Sequence, residues 1–135
     1  MSRVGVGCGA AILRGGRLLL VRRRRPPEAG CWSLPGGKVD FLESAQDAAA
    51  RGIAEEVGLA TTIGPLLCLT QMIGTDGEHW VSPVYRAQAA AGEPVNREPD
   101  KIAAIGWFAL DEPPAPLAQA AREAIAALRS GAGAK

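Results

Sequence analysis

The stretch from Gly36 to Leu59, GGKVDFLESAQDAAARGIAEEVGL, constrains this chain more than any other part of it. Ser44 followed three residues later by Asp47 is a capping-box start, and Gly58 sits where a left-handed C-cap residue belongs. The spacing predicts a helix over Ser44 to Val57, entered from a tight turn at Gly36-Gly37 through a short loop ending at Glu43. At about 100° per residue, Ala49, Ala50, Ile53, Ala54 and Val57 share one arc, and Arg51, Gly52, Glu55 and Glu56 the opposite one. One face is expected to pack and the other to hold charge. Two adjacent helical glutamates are ordinarily a solvated face. Here a loop carboxylate, Glu43, stands at a fixed distance upstream. Hard divalent cations such as Mg²⁺ want several oxygens at once, so a helix pair plus one loop acid is a candidate metal cluster.

The same stretch resembles the Nudix box, G-x5-E-x7-R-E-U-x-E-E-x-G-U with U aliphatic. Gly37, Glu43, Arg51, Ile53, Glu55, Glu56, Gly58 and Leu59 fall in register, eight of the nine defined positions. With ordinary residue frequencies, such a match arises by chance on the order of once in a hundred thousand chains of this length. The ninth position departs: Gly52 stands where the family has glutamate, which in many relatives is a metal ligand or the general base. A mid-helix glycine also costs about 1 kcal/mol relative to alanine. The lead-in Trp32-Ser33-Leu34-Pro35-Gly36-Gly37-Lys38 looks like that of the family as well.

A chain of 135 residues is expected to form one domain, 1–135, with one substantial core. Net charge is +1, which gives no global case for nucleic acid or an anionic membrane. Cys8, Cys31 and Cys68 are odd in number and form no C-x-x-C pair, so they read as thiols in a reducing compartment. The N-terminus lacks the apolar stretch of a signal peptide, and no apolar run approaches 18 residues. A cytoplasmic location is the expectation.

In chain order, Val4 to Leu13 and Leu18 to Arg24 read as strands joined by a hairpin at Arg14-Gly15-Gly16-Arg17. Gly5-Val6-Gly7-Cys8-Gly9-Ala10 imitates a dinucleotide fingerprint but lacks the strand before and the helix after that the motif needs. Arg22 to Arg25 is the densest positive charge, either a solvated strand end or a phosphate clamp. Strand alternation allows only one of Arg22 and Arg23 to face a site. Lys38 is a candidate second phosphate contact. Thr61 to Met72 and His79 to Ala89 read as strands around a turn at Gly74 to Gly77, and Ala90 to Asp100 as a loop. Ile102 to Leu110 reads as the last strand. Leu117, Ala121, Ala124, Ile125 and Leu128 recur at helical spacing and predict a closing helix, with Gly131 to Lys135 fraying.

The resemblance implies an α+β fold of the Nudix type, an α/β/α sandwich with a mixed sheet between helices. It implies hydrolysis of a nucleoside diphosphate linked to another group, with Mg²⁺ as cofactor and Mn²⁺ as an alternative. Arg51, Glu55, Glu56 and Glu98 form the implied catalytic set, and Gly37, Glu43, Glu55, Glu56 and Glu98 the implied metal site. In relatives resembling MutT, an arginine on the strand leading toward the box holds phosphate, and Arg22 or Arg23 matches that place. Trp32, His79, Trp80 and Tyr85 are the candidates for base recognition. The chain lacks the SQPWPFPxS tail of NADH-cleaving relatives, which leaves a nucleoside or deoxynucleoside triphosphate, cleaved to monophosphate and pyrophosphate, as the expected substrate. The expected partner is thus a small nucleotide, neither nucleic acid nor membrane, and a homodimer stays open. The alternative is a nucleotide-binding module that has lost turnover through Gly52. On the sequence alone, Gly52→Glu is expected to raise turnover.

Overall fold

A computed structural model describes residues 2–131. Eight strands and two helices follow one another: β1 Gly5–Ala11, β2 Leu13–Arg14, β3 Arg17–Arg23, β4 Trp32–Ser33, β5 Gly36–Lys38, α1 Ala45–Val57, β6 Ala60–Ile73, β7 His79–Ala91, β8 Ile102–Ala109 and α2 Gln119–Arg129. One sheet has the order β5-β1-β7-β6, with β1 and β7 parallel and the other pairs antiparallel. In the second sheet β3 pairs with β2, β4 and β8, all antiparallel. Among the described residues no helix is long and apolar enough to cross a membrane.

The run Leu18-Leu19-Leu20-Val21 shows why the layers form. A strand that is apolar at every position can only be buried on both faces. These four residues are at most 3% exposed. Leu19 and Val21 enter the core beneath α1, with Ile53, Val57 and Leu59. Leu18 and Leu20 enter a second core beneath α2, with Leu67, Val84, Ala121 and Ile125. Each fully buried leucine contributes roughly 1.5–3 kcal/mol relative to exposure. The two sheets, the first of them mixed, therefore lie between two helical layers, the expected α/β/α sandwich.

Local signals set most boundaries. Gly15 and Gly16, at φ 58° and 77°, close the β2–β3 hairpin in the left-handed conformation that glycine tolerates. The Ser44 hydroxyl accepts from the Asp47 N–H at 3.1 Å, and Gly58 ends α1 at φ 73°. Helix α2 has no side-chain cap of its own; its Gln119 N–H instead donates to the Glu28 carboxylate, 91 residues away, at 2.8 Å. The expected C-terminal fraying falls on 132–135, outside the described residues, and on Gly131, whose N–H bonds to the Leu128 carbonyl.

Two expectations change at Gly36, Gly37 and Gly52. Gly36-Gly37 is not a tight turn but strand β5, paired with β1 from Gly9 to Gly7. Gly52 is not on the solvated face of α1: it is buried with Ala48, Ala49, Ile53 and Val57, while Ala54 is exposed. The reason is steric. A Cβ on Gly52 would overlap the Gly36 carbonyl and stand 2.8 Å from the Gly37 nitrogen, and a Cβ on Gly36 would collide with the Cys8 carbonyl. The helix thus rests directly on the β5 backbone. On the same ground a glutamate at position 52 has room for its first carbon only if α1 moves off β5, so the expectation that Gly52→Glu raises turnover requires that movement. Gly52→Ala is expected to destabilise the fold by roughly 1–3 kcal/mol, the usual cost of overpacking. Thermal denaturation of the variant should show the midpoint fall; an unchanged midpoint would show that the helix can move off β5 freely.

Candidate active site

The charged face of α1 converges on Arg51. Its guanidinium grips both oxygens of Glu43, at 2.8 and 2.9 Å, and donates to Glu55 Oε1 at 2.9 Å and to the Lys38 carbonyl at 2.8 Å. Asp40 lies 3.5 Å away as a further ion partner. The Arg51 guanidinium, donating to the Glu43 carboxylate with help from the Asp40 N–H, holds Glu43 down to about pKa 2. Reciprocally, Glu43 pushes the Arg51 pKa further up. Glu43 is thereby a brace for Arg51, which ties the loop after β5 to the helix, and Glu55 is held one helical turn along.

Glu56 is positioned differently. It lies one turn beyond Gly52, on the side where α1 touches β5, and its Oε1 accepts the Gly36 N–H at 3.0 Å. Burial pushes its pKa up to about 7; the Gly36 N–H opposes this, the nearby Glu98 charge adds to it, and Arg23 and Lys101 oppose it more weakly. Glu98 is fixed by the Asn96 side chain, which accepts its N–H at 3.1 Å, and lies 3.6 Å from the Lys101 ammonium.

Glu56 lines a cleft of about 370 Å³ whose walls include Arg23, Lys38, Trp80 and Lys101. Of the two candidate arginines, Arg23 faces the cleft, with its Nε bonded to the Pro27 carbonyl at 2.8 Å; Arg22 points away and bonds the Gly30 carbonyl at 3.0 Å. Strand alternation sorts the base-recognition candidates in the same way. Trp80 is on the cleft wall, whereas His79 and Tyr85 lie on the opposite face of β7, and Tyr85 is buried in the core under α1. Trp32 is half-buried against the core under α2, packed edge-to-face on Phe108 at 4.9 Å between ring centres. Residues that the sequence did not single out complete the walls: Thr70, Met72, Ser82, Lys101 and Gln119. Only Lys101 had a local signal, its spacing from Glu98. Thr70, Met72 and Ser82 depend on the register of the long, bulged β6–β7 hairpin, and Gln119 on where α2 docks, neither of which a local pattern encodes.

A divalent cation suits this donor set. A partly buried carboxylate beside a second carboxylate is an arrangement that gains from a positive charge placed between its members. Among the described residues, no three His, Cys, Asp or Glu side chains already converge on one point. Arg51, not a third carboxylate, occupies the space between Glu43 and Glu55.

With this geometry the chain is no longer only a resemblance. It matches the NUDIX domain family model over residues 1–128, and it belongs to that family. The crystal structure of MutT NUDIX hydrolase from Burkholderia pseudomallei shares the fold with a TM-score of 0.89 at 54% identity, covering 94% of this chain and 99% of that one. "Putative 8-oxo-dGTP diphosphatase 2" of Mycobacterium tuberculosis (strain CDC 1551 / Oshkosh) is 40% identical over 92 residues, 65% of this chain and 63% of its own length. "CTP pyrophosphohydrolase" of Escherichia coli (strain K12) is 41% identical over 56 residues, 41% of this chain and 42% of its own length. The matches thus span less than two thirds of these curated relatives.

The Arg51–Glu43 brace has a pH signature. Glu43 is lowered in the fold relative to its ordinary value of 4.5, so its stabilisation is complete above about 4.5 and is lost as pH falls toward about 2. Glu43→Gln should remove that part of the acid destabilisation. Denaturation midpoints of both proteins between pH 6 and pH 2 should converge as the pH falls; a constant gap would show that the ion pair does not stabilise the fold.

Proposed function

We propose that this protein is a Mg²⁺-dependent diphosphatase of nucleoside or deoxynucleoside triphosphates, releasing monophosphate and pyrophosphate. The observation that carries this reading is Glu56, a carboxylate withdrawn from water, facing Glu98 and set in a cleft with Arg23, Lys38 and Lys101. Acid beside base in one recess is the pattern that a metal–diphosphate ligand complements. The names of the relatives, a putative 8-oxo-dGTP diphosphatase and a CTP pyrophosphohydrolase, support the reaction class and differ in the base.

Glu56, Glu98 and the Gly37 carbonyl would hold the cation, with Glu55 at the rim. When bound, it would neutralise the diphosphate and acidify a water molecule. The protein's own part is positioning and charge. Arg23 and Lys38 bind phosphate oxygens from two sides of the cleft. Arg51 fixes Glu55 and, through Glu43 and the Lys38 carbonyl, the loop that carries Lys38. Trp80 offers an aromatic wall to the nucleoside. With no carboxylate at position 52, proton removal falls to Glu98, whose ion partner Lys101 lines the cleft.

A panel of nucleoside triphosphates incubated with Mg²⁺, with products identified by mass, tests the reaction. Monophosphate and pyrophosphate are expected. Tight binding with no cleavage anywhere in the panel would instead establish a binding module. Glu56→Gln should lower kcat on the order of a hundredfold or more. Arg23→Ala should raise KM roughly tenfold or more, the scale of a lost charged hydrogen bond, whereas Arg22→Ala should leave it within about twofold. Equal effects of the two arginine variants would remove Arg23 from the phosphate site.

A further inference from the structure

The face of the first sheet that lines the cleft carries an ordered row of side chains. Register pairs Lys38 with Gly7 and Thr70 with Ser82, and the parallel β1–β7 pairing, in which Val6 meets Val81, brings Gly7 beside Ser82. Lys38, Gly7, Ser82 and Thr70 therefore lie in line across four strands, and all four line the cleft. Adjacent strands are about 4.8 Å apart, so Thr70 lies roughly 14 Å from the lysine end. The next row is Gly5, Trp80 and Met72. A Cβ on Gly5 would stand 2.6 Å from Trp80 Cε3, so the indole lies flat over β1. The alternating glycines of β1, which do not form a dinucleotide fingerprint, instead clear the floor of this cleft.

At the far end of the row, Thr70 is the one buried polar residue of the described structure, 4% exposed. Its Oγ1 has no hydrogen-bond partner among the described residues. Its one polar contact within the strand is with the Cys68 thiol, a weak hydrogen-bonding group that does not satisfy a hydroxyl. Thr61 Oγ1, at the other end of β6, is also without a partner but is outside the cleft. A buried hydroxyl left unbonded destabilises a fold, and one that lines a ligand cleft is satisfied when the ligand supplies the missing group.

We propose that Thr70 is a specificity-determining residue: its hydroxyl bonds the polar edge of the nucleobase, while Lys38 holds the phosphates at the other end of the row. The assignment rests on the nucleotide reading above. The span from Lys38 to Thr70 corresponds to that between the phosphates of a nucleotide and the far edge of its base. Met72 and Trp80 form the apolar wall beside the base, and Ser82, one strand short of Thr70, faces the sugar.

Thr70→Val removes the hydroxyl at constant shape, and Thr70→Ser retains it. Against the nucleoside triphosphate that the wild type prefers, Thr70→Val should raise KM or Kd about tenfold or more with kcat within about threefold, and Thr70→Ser should restore most of the loss. Discrimination among bases should narrow in the valine variant. Its Tm should rise, because an unbonded buried hydroxyl has been removed; a merely structural threonine would give a fall in Tm instead. Unchanged affinity and base preference in Thr70→Val, or a loss of affinity that follows a loss of Tm, would overturn the proposal while leaving the diphosphatase reading intact. If the wild type cleaves nothing, the same comparison by calorimetric Kd decides the role of Thr70 alone. If it neither cleaves nor binds any nucleotide of the panel, both proposals fall.

Discussion

The site depends on the contact of one helix with one strand backbone. α1 rests on β5 with no side chain between them at Gly52, Gly36 and Gly37. That closeness carries Glu56, one turn beyond Gly52, to within hydrogen-bond distance of the Gly36 N–H. A single added methyl group at Gly52 would separate the two elements and draw the carboxylate away from the recess. Gly52 departs from the box pattern, yet its position in the packing is as strictly determined as that of any charged residue around it. Close packing leaves interiors little room to absorb even one methylene.

The charges then divide into two sets with different tasks. Arg51 satisfies Glu43, Glu55 and a main-chain carbonyl, forming a locked network at the helix surface. Paired ions of this kind hold a loop in place and are already neutralised. Glu56 and Glu98 lack a cation of that quality, and burial with mutual repulsion moves Glu56 toward protonation. Electrostatic strain is thus concentrated on Glu56 at the cleft and relieved at the helix surface. A binding site for a positively charged or metal-bound ligand has this distribution.

The strands between the two helical layers line both ends of the cleft. Because side chains alternate, β7 sends Trp80, Ser82 and Val84 to the cleft and Tyr85 to the core under α1. β3 presents Arg23 to the cleft and Arg22 to the outside. Helix α2, whose first N–H is capped by Glu28 from the loop after β3, closes the cleft with Gln119. A loop, a helix terminus and the sheet are thereby joined at the same recess.

The sequence by itself determined the covalent and local features: the helix from its Ser44 cap to Gly58, the β2–β3 hairpin, the Leu18–Val21 central strand, the closing helix and the family. These follow from neighbours a few residues apart, since capping, turn chemistry and apolar periodicity act over one turn or one pleat. It also brought Glu43, Arg51, Glu55, Glu56 and Glu98 into view. Only the tertiary structure decided which carboxylates are clasped by Arg51 and which line the cleft, that Arg23 rather than Arg22 faces it, and that Tyr85 is core and Trp32 packs against it. It alone turned Gly36-Gly37 from an expected turn into a strand and Gly52 from a missing acid into a contact point. These outcomes depend on strand register and on the distance between elements far apart in the chain. Shifting the register by one residue exchanges the two faces of a strand, and the register is set by the whole set of packed layers.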